Sequence, residues 1–110
     1  MLPESQAAIV ARNETWSGEE VTEPYEAGWA REAIIFVRAL KATGPAGRAY
    51  VELSPDGMNW VAEGTSFALP DASNKVTFAR VIQFGNWLRI RAGLMPGCSV
   101  TVVVTIHVKA

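Results

Sequence analysis

The sequence of 110 residues predicts an all-β protein, folded as an antiparallel β-sandwich of jelly-roll-like type with about seven or eight strands. Apolar and polar residues alternate through most of the chain, which is the pattern of strands with one buried face. Turn signals separate these segments at roughly every eight to twelve residues, as in a sandwich. Because 49% of the residues are hydrophobic, a single domain spanning residues 1–110 can bury its own core.

The first part of the chain, residues 1–32, is predicted to contain one short strand at about 7–12 and then an acidic arm at about 13–29. The arm has little helical periodicity and is interrupted by glycine and proline. One edge strand near 20–23 is expected to end at Pro24, because proline has no amide hydrogen to donate to a neighbouring strand.

Charge is distributed unevenly along the chain. Residues 1–32 contain seven acidic and two basic residues, a sum of −5, whereas residues 33–110 contain four acidic and eight basic residues, a sum of +4. Together they give the net charge of −1. An acidic arm on a basic body can fold back onto its own domain or lie across a neighbouring copy.

Residues 33–40 predict a long central strand, because both alternating sets of side chains are largely apolar. A helix is the competing interpretation, and the β-branched and aromatic content favours the strand. Further strands are predicted at about 48–54, 60–64, 75–83, 87–93 and 99–109. The last of these has a strict period of two, with valine and isoleucine at every even position from Val100 to Val108.

The segment Pro55-Asp56-Gly57 lies between two of these strands and predicts the turn of a hairpin. Proline fixes φ at the first corner, the aspartate side chain accepts backbone hydrogen bonds, and glycine supplies a positive φ. A calcium loop is the alternative, but the run from Asp56 to Asn59 offers one carboxylate where that ion needs several oxygen ligands.

No catalytic, metal-binding or cofactor motif is present, so we expect neither an enzyme nor a bound metal or cofactor. His107 is the one histidine, and it lies on the polar face of the last strand without a local partner. Cys98 is the one cysteine, so no disulfide can form within the chain, and a buried position is expected for it. Glycoside hydrolysis by two carboxylates distant in sequence stays open, because sequence spacing does not test it.

Trp87, Arg89 and Arg91 are predicted to share the outer face of one strand, since Leu88 and Ile90 take its inner face. This Trp/Arg stripe has three interpretations: a subunit contact, a solvent-exposed face whose arginines pair with acids on a neighbouring strand, and a ligand site. Nucleic acid is not expected as the ligand, because the chain is net acidic and has no larger basic cluster.

The other three tryptophans complete the set of interface or ligand-binding candidates. Trp16 and Trp29 flank the acidic arm, and Trp60 begins a predicted strand after a turn. A tryptophan in a polar arm must pack somewhere, either on its own domain or on a partner. The candidates are therefore Trp16, Trp29, Trp60, Trp87, Arg89 and Arg91.

The sequence has no signal-peptide pattern and no apolar run long enough to cross a bilayer, so we expect no membrane association. The expected location is the cytoplasm or a virion assembled there. Nothing in the single cysteine indicates an oxidising compartment.

The segment VELSPDGMNWVAEG, followed by GNWLRIRAG, resembles the Ser-x-Asp-Gly-x-x-Trp hairpin and late arginine-rich strand of coagulation factor type C (discoidin) modules. The resemblance covers residues 48–93 and implies a jelly roll that binds sugars or lipid head groups. This chain is shorter than typical members and lacks the cysteine pair that many of them use. Ligand contacts in that family lie on variable loops, so no individual residue is carried over.

The same hairpin is similar to segments of small β-sandwich proteins in tailed-phage particles, which decorate heads or tails. Those proteins are short, poor in cysteine and commonly trimeric. The resemblance therefore implies a homo-oligomer, such as a trimer, for this chain. The expected function is therefore that of a non-catalytic structural protein forming a homo-oligomer, such as a virion accessory or decoration protein that contacts itself, a capsid or another protein surface. A carbohydrate-binding β-sandwich module, with a glycan stacked on tryptophan, is the alternative.

Overall fold

A computed structural model describes residues 5–110, and within that range the chain forms nine strands and no helix. The strands are β1 Ser5–Trp16, β2 Glu19–Val21, β3 Tyr25–Glu26, β4 Glu32–Thr43, β5 Gly47–Ser54, β6 Val61–Ala68, β7 Val76–Ile82, β8 Trp87–Leu94 and β9 Ser99–Lys109. In this part of the chain nothing helical has the length and apolar character that crossing a membrane requires. The prediction of an all-β fold is confirmed.

The strands form two antiparallel sheets. Sheet 1 has the order β1-β9-β4-β7, and sheet 2 has the order β2-β8-β5-β6, with β3 also paired to β8. Strands β2 and β3 pair with successive parts of β8, so together they act as one interrupted edge strand. Counted in this way, the described chain has eight strands in two sheets of four, and all connections except β5–β6 cross from one sheet to the other. This is the jelly-roll-like sandwich that the sequence predicts.

The interruption between β2 and β3 centres on Thr22. Its amide donates to the Ile90 carbonyl oxygen at 3.0 Å, and its Oγ1 accepts the Ile90 amide at 3.0 Å. Thr22 therefore keeps both backbone groups of Ile90 bonded where the ladder stops. The predicted edge strand near 20–23 corresponds to β2, and the chain resumes pairing one residue after Pro24.

The core lies between the sheets and is built from every second residue of the central strands. In β8 and β9 these are the positions that the period-two pattern predicts, including Leu88, Ile90 and all even positions from Val100 to Val108. Each such aliphatic side chain stabilises the fold by roughly 1.5–3 kcal/mol relative to an exposed one. Cys98 is also buried, and His107 is exposed on the outer face, as predicted.

One prediction about strands is corrected by the structure and another is confirmed. The first strand is longer than predicted, because it pairs with β9 along its whole length and contains irregularities at Val10 and Asn13 that shift its alternation. The strand at 33–40, now β4, is long and central as predicted, and Ile34 and Phe36 are half-buried on its outer side. No other part of the described chain forms a layer over that face.

The acidic arm folds back onto its own domain, which is the first of its two interpretations. Its residues do not extend from the domain but continue β1, turn at residues 17–18, and form β2 and β3 along the edge of β8. A hydrogen bond from the Tyr25 hydroxyl to Gln6 Oε1, 3.2 Å long, joins β3 to β1. The arm therefore lies on its own domain and forms one lateral edge of the sandwich.

Candidate interaction surfaces

The Trp/Arg stripe lies on the outer face of sheet 2, as predicted, and both of its arginines are paired with carboxylates. Arg89 Nε donates to Glu52 Oε1 at 2.8 Å, and Arg91 Nε lies 3.5 Å from Glu52 Oε2. Arg91 Nη1 also lies 3.3 Å from Glu19 Oε1. The strand register explains these contacts, because Glu52 of β5 is directly opposite Arg89 of β8. The interpretation of the stripe as an ion-paired face is therefore confirmed.

Each arginine also covers an aromatic ring. The Arg89 guanidinium lies 4.3 Å from the centre of the Trp60 ring, and that of Arg91 lies 4.5 Å from the centre of the Tyr50 ring. The result is a continuous row across sheet 2, here called the arginine row: Trp60, Arg89, Glu52, Arg91 and Tyr50. The side chain of Glu52 is only 12% exposed, so its interactions with the two arginines are partly shielded from water.

Trp87 lies beneath the turn that joins β5 to β6. A Cβ added to Gly57 would lie 3.3 Å from Cε2 of the Trp87 indole, so the turn and the ring are in close contact. Gly57 has a φ of 79°, and Asp56 Oδ1 accepts the amides of Met58 and Asn59, each at 2.9 Å. The hairpin interpretation of this segment is confirmed.

Donor groups of the same turn make hydrogen bonds to the Asp56 carboxylate. The Asn59 amide and then the Met58 amide, together with the Asn59 and Ser54 side chains, hold the pKa of Asp56 well below its ordinary value. Among residues 5–110 no group of three or more His, Cys, Asp or Glu side chains is arranged to hold a metal ion.

Trp16 and Trp29, which flank the acidic arm in the sequence, differ in burial. Trp16 is 2% exposed, packs in the core, and donates from Nε1 to Glu14 Oε1 at 3.2 Å. Its selection as a contact candidate is corrected, because the side chain does not reach the surface of the folded domain. Trp29 is 40% exposed in the connection between β3 and β4, so it stays available for contact.

Sequence reasoning missed one surface with several exposed apolar side chains, the outer face of sheet 1. Four of its apolar side chains are between 46% and 62% exposed, namely Ile9, Val76, Phe78 and Ile82. The half-buried Ile34 and Phe36 lie between them on β4. Phe36 contacts Phe78, with ring centres 5.9 Å apart, and meets His107 edge to face at 5.3 Å. Exposed apolar patches of this kind mark interaction sites.

Basic residues surround this apolar patch. The register of the four strands places Arg12, Arg38, Lys41, Arg80 and Lys109 on the same outer face, together with one acid, Glu32. All six are exposed. The face that we call the sheet 1 face, consisting of these charged residues and the six apolar ones, therefore carries a charge of five minus one, or +4. Arg80 also lies over the Phe78 ring at 5.0 Å.

A cleft of about 450 Å³ opens at one end of this face. Phe84, Ile82 and Ala30 supply its apolar lining, and Arg31 and Gln83 supply polar groups. Gln83 donates its amide to the Arg31 carbonyl oxygen at 3.2 Å, which ties the two walls together. The cleft adjoins the sheet 1 face through Glu32 and Ile82, which belong to both.

The sequence contains one signal that points to the sheet 1 face. In β4 most of the outward positions are apolar as well as the inward ones, a pattern that predicts a central strand and is also typical of burial on both sides. A strand whose second face binds another molecule has the same composition. The pattern alone does not distinguish these two cases, and the strand order was needed to do so.

Comparison with known proteins supports the fold. No protein-family model and no curated protein sequence matches the chain. The crystal structure of the SPBc2 prophage-derived protein YomS covers 100% of this chain and 96% of that chain, with a TM-score of 0.64 and 10% sequence identity. The PBSX exported protein XepA covers 97% of this chain with a TM-score of 0.58 and 14% identity, and the match spans 36% of that longer chain. At such identities the likeness establishes a shared fold alone.

Proposed function

We propose that the protein is a non-catalytic structural protein that self-associates, and that it belongs to a phage or prophage particle as a virion accessory or decoration protein. The observation that carries self-association is the sheet 1 face, where apolar side chains are exposed on a sheet that has no covering layer in residues 5–110. Leaving such a face in water is unfavourable, and burial against another protein removes that cost.

The link to phage particles is supported by the fold. The match to a protein that is named as prophage-derived covers almost the whole of both chains. Because β-sandwiches carry many unrelated functions, this support is an analogy of fold. A trimer is the expected state by the earlier resemblance, and a capsid or another particle protein is the expected further partner.

Light scattering on a sizing column tests self-association. The full chain is run at low salt and at about 1 M salt, where electrostatic screening reaches only roughly 3 Å. We expect a defined oligomer, with a trimer as the first candidate. A monomer in both conditions at micromolar concentration would overturn the proposal. Mass spectrometry of purified particles from the host that carries this coding sequence tests the virion assignment separately.

Carbohydrate binding is the second candidate, because Trp60 and Trp87 are both half-buried at the same end of sheet 2, next to the polar arginine row. Its support is weaker, since Arg89 lies over the Trp60 ring and the 55–57 turn contacts Trp87. A change in tryptophan fluorescence on titration with oligosaccharides, lost in Trp60→Ala, would favour it. Glycan titrations without any fluorescence change would remove it.

A further inference from the structure

One edge of the sandwich is acidic, so its charge is opposite to that of the sheet 1 face. Five glutamates, Glu14, Glu19, Glu20, Glu23 and Glu26, lie in the segment 14–29, which contains no lysine or arginine. Four of them are exposed and Glu20 is half-buried. Arg91 pairs with Glu19, and the others have no arginine or lysine within salt-bridge distance in the described chain. We call these five residues the acidic edge.

Apolar side chains accompany the acidic edge. Val21 is about half-exposed in β2, and Trp29 is exposed just beyond β3. The edge thus presents negative charge with two apolar groups, whereas the sheet 1 face presents an apolar centre with a net charge of +4. Complementary potentials of this kind select partners and fix their orientation.

One molecule does not bring the acidic edge together with the far part of the sheet 1 face. The acidic edge is formed by the end of β1 and by β2 and β3 at the side of the sandwich. Of the sheet 1 face only Ile9 and Arg12 lie on β1, whereas Arg38, Phe78 and Arg80 lie on β4 and β7, which are two and three places from β1 in the strand order. Contact between them therefore needs two copies, each using a different surface. Such a head-to-tail contact closes into a ring when the rotation between copies permits it.

We propose that the sheet 1 face of one copy binds the acidic edge of a second copy, with Arg38 and Arg80 facing Glu23 and Glu26, and Phe78 covered by Val21 or Trp29. This inference rests on the proposed self-association and assigns its two surfaces. The Trp/Arg stripe on the opposite side of the sandwich is a poorer acceptor for the acidic edge, because its arginines are already paired within the chain.

Charge reversal, first on each surface alone and then on both, tests the assignment. The face variant carries Arg38→Glu and Arg80→Glu, and the edge variant carries Glu23→Arg and Glu26→Arg; all four residues are exposed. Each variant alone opposes like charges at every contact, so we expect association to weaken by at least about tenfold. A chain that carries all four substitutions again has opposite charges at every contact, in a ring of any size, so assembly is expected to return.

The matched control is Arg48→Glu with Glu63→Arg, which changes the same types of charge on sheet 2 and should leave assembly unchanged. Circular dichroism and thermal unfolding establish that each variant is folded. If the unmodified chain assembles and both reversal variants assemble equally well, or the chain with all four substitutions does not recover assembly, this inference is overturned while self-association stands. If the unmodified chain is monomeric, the proposed function fails as well.

Discussion

The buried hydroxyls of Thr22 and Thr77 have opposite effects on stability. Thr22 Oγ1 accepts the Ile90 amide at 3.0 Å, where β2 has ended and β3 has not begun. Thr77 Oγ1 is enclosed in β7, and no group of the described chain makes a hydrogen bond with it. The first hydroxyl therefore satisfies a backbone donor, and the second carries the cost of burying a polar atom.

Replacing each threonine by valine, which has almost the same shape, separates these roles. Thr22→Val leaves the Ile90 amide without an acceptor and is expected to lower the free energy of unfolding by about 1–3 kcal/mol. Thr77→Val is expected to be neutral or stabilising, because no bond is lost. Urea unfolding of the two variants measures both effects. Equal losses in both would contradict the role assigned to Thr22.

Asp56 is expected to make stability depend on pH. Hydrogen bonds from the Asn59 and Met58 amides lower its pKa in the folded protein, so the ionised form is favoured by folding. The resulting stabilisation is fully present above the unfolded pKa, about 3.9, and is lost as the pH falls through the lower folded value. Asp56→Asn retains an acceptor oxygen but not the charge.

The expected result is a higher unfolding temperature for the unmodified chain than for Asp56→Asn at neutral pH, with the difference shrinking below about pH 4. Thermal unfolding followed by circular dichroism across this range measures it. Glu63→Gln serves as a control carboxylate on the neighbouring strand. If the difference in unfolding temperature between the unmodified chain and Asp56→Asn does not depend on pH, the electrostatic explanation is contradicted.

Among the structural elements, the turn between β5 and β6 does more than reverse the chain, because it packs on Trp87. Gly57→Ala combines the strain of a positive φ with a Cβ placed 3.3 Å from the indole. Gly97→Ala has the same φ of 79° but meets nothing within 4 Å. Both variants should lose about 1–2 kcal/mol from backbone strain.

We expect Gly57→Ala to lose more than Gly97→Ala and to change tryptophan fluorescence, because the alanine methyl group presses on Trp87. Chemical unfolding gives the difference in stability, and the emission spectrum of the folded protein reports the indole environment. Identical unfolding free energies and spectra for the two variants would show that the turn does not depend on its contact with the ring.

The strands also show where sequence patterns reach their limit. The inner residues of β8 and β9 were predicted because strict alternation is sufficient when neither strand has an irregularity. In β1 the irregularities at Val10 and Asn13 broke the alternation, so the strand was predicted to end at Arg12 instead of Trp16. Trp16 was consequently assigned to a surface arm although it completes the core.

For the interaction surfaces, too, alternation within one strand predicts only part of the arrangement. The outward direction of Trp87, Arg89 and Arg91 was predictable from alternation within β8. Their carboxylate partners were not, because Glu52 and Glu19 come from strands whose register only the folded sheet defines. The sheet 1 face required the order of four strands that are distant in sequence, so no local pattern could have assembled it.

At the scale of the whole molecule, the two outer faces of the sandwich have different chemistry. On sheet 2, both arginines of the arginine row are paired with Glu52, and Arg91 is also paired with Glu19. On sheet 1, apolar side chains and mostly basic groups are exposed together. We therefore expect the first face to contribute to the stability of one copy and, under the proposed self-association, the second face to contact another copy. Variants on the two faces should accordingly affect different measurements.

Glu52→Gln and Phe78→Thr test this division. Glu52→Gln leaves Arg89 without a carboxylate partner and Arg91 with Glu19 alone, so we expect it to lower the free energy of unfolding by about 1–3 kcal/mol while the oligomer persists. Phe78→Thr introduces a β-branched residue, which suits an edge strand, so the fold should tolerate it, but it removes an exposed ring and should weaken association by at least about tenfold. Chemical unfolding and light scattering over a concentration series measure the two effects. Dissociation in Glu52→Gln with intact assembly in Phe78→Thr would place the contact on sheet 2 instead.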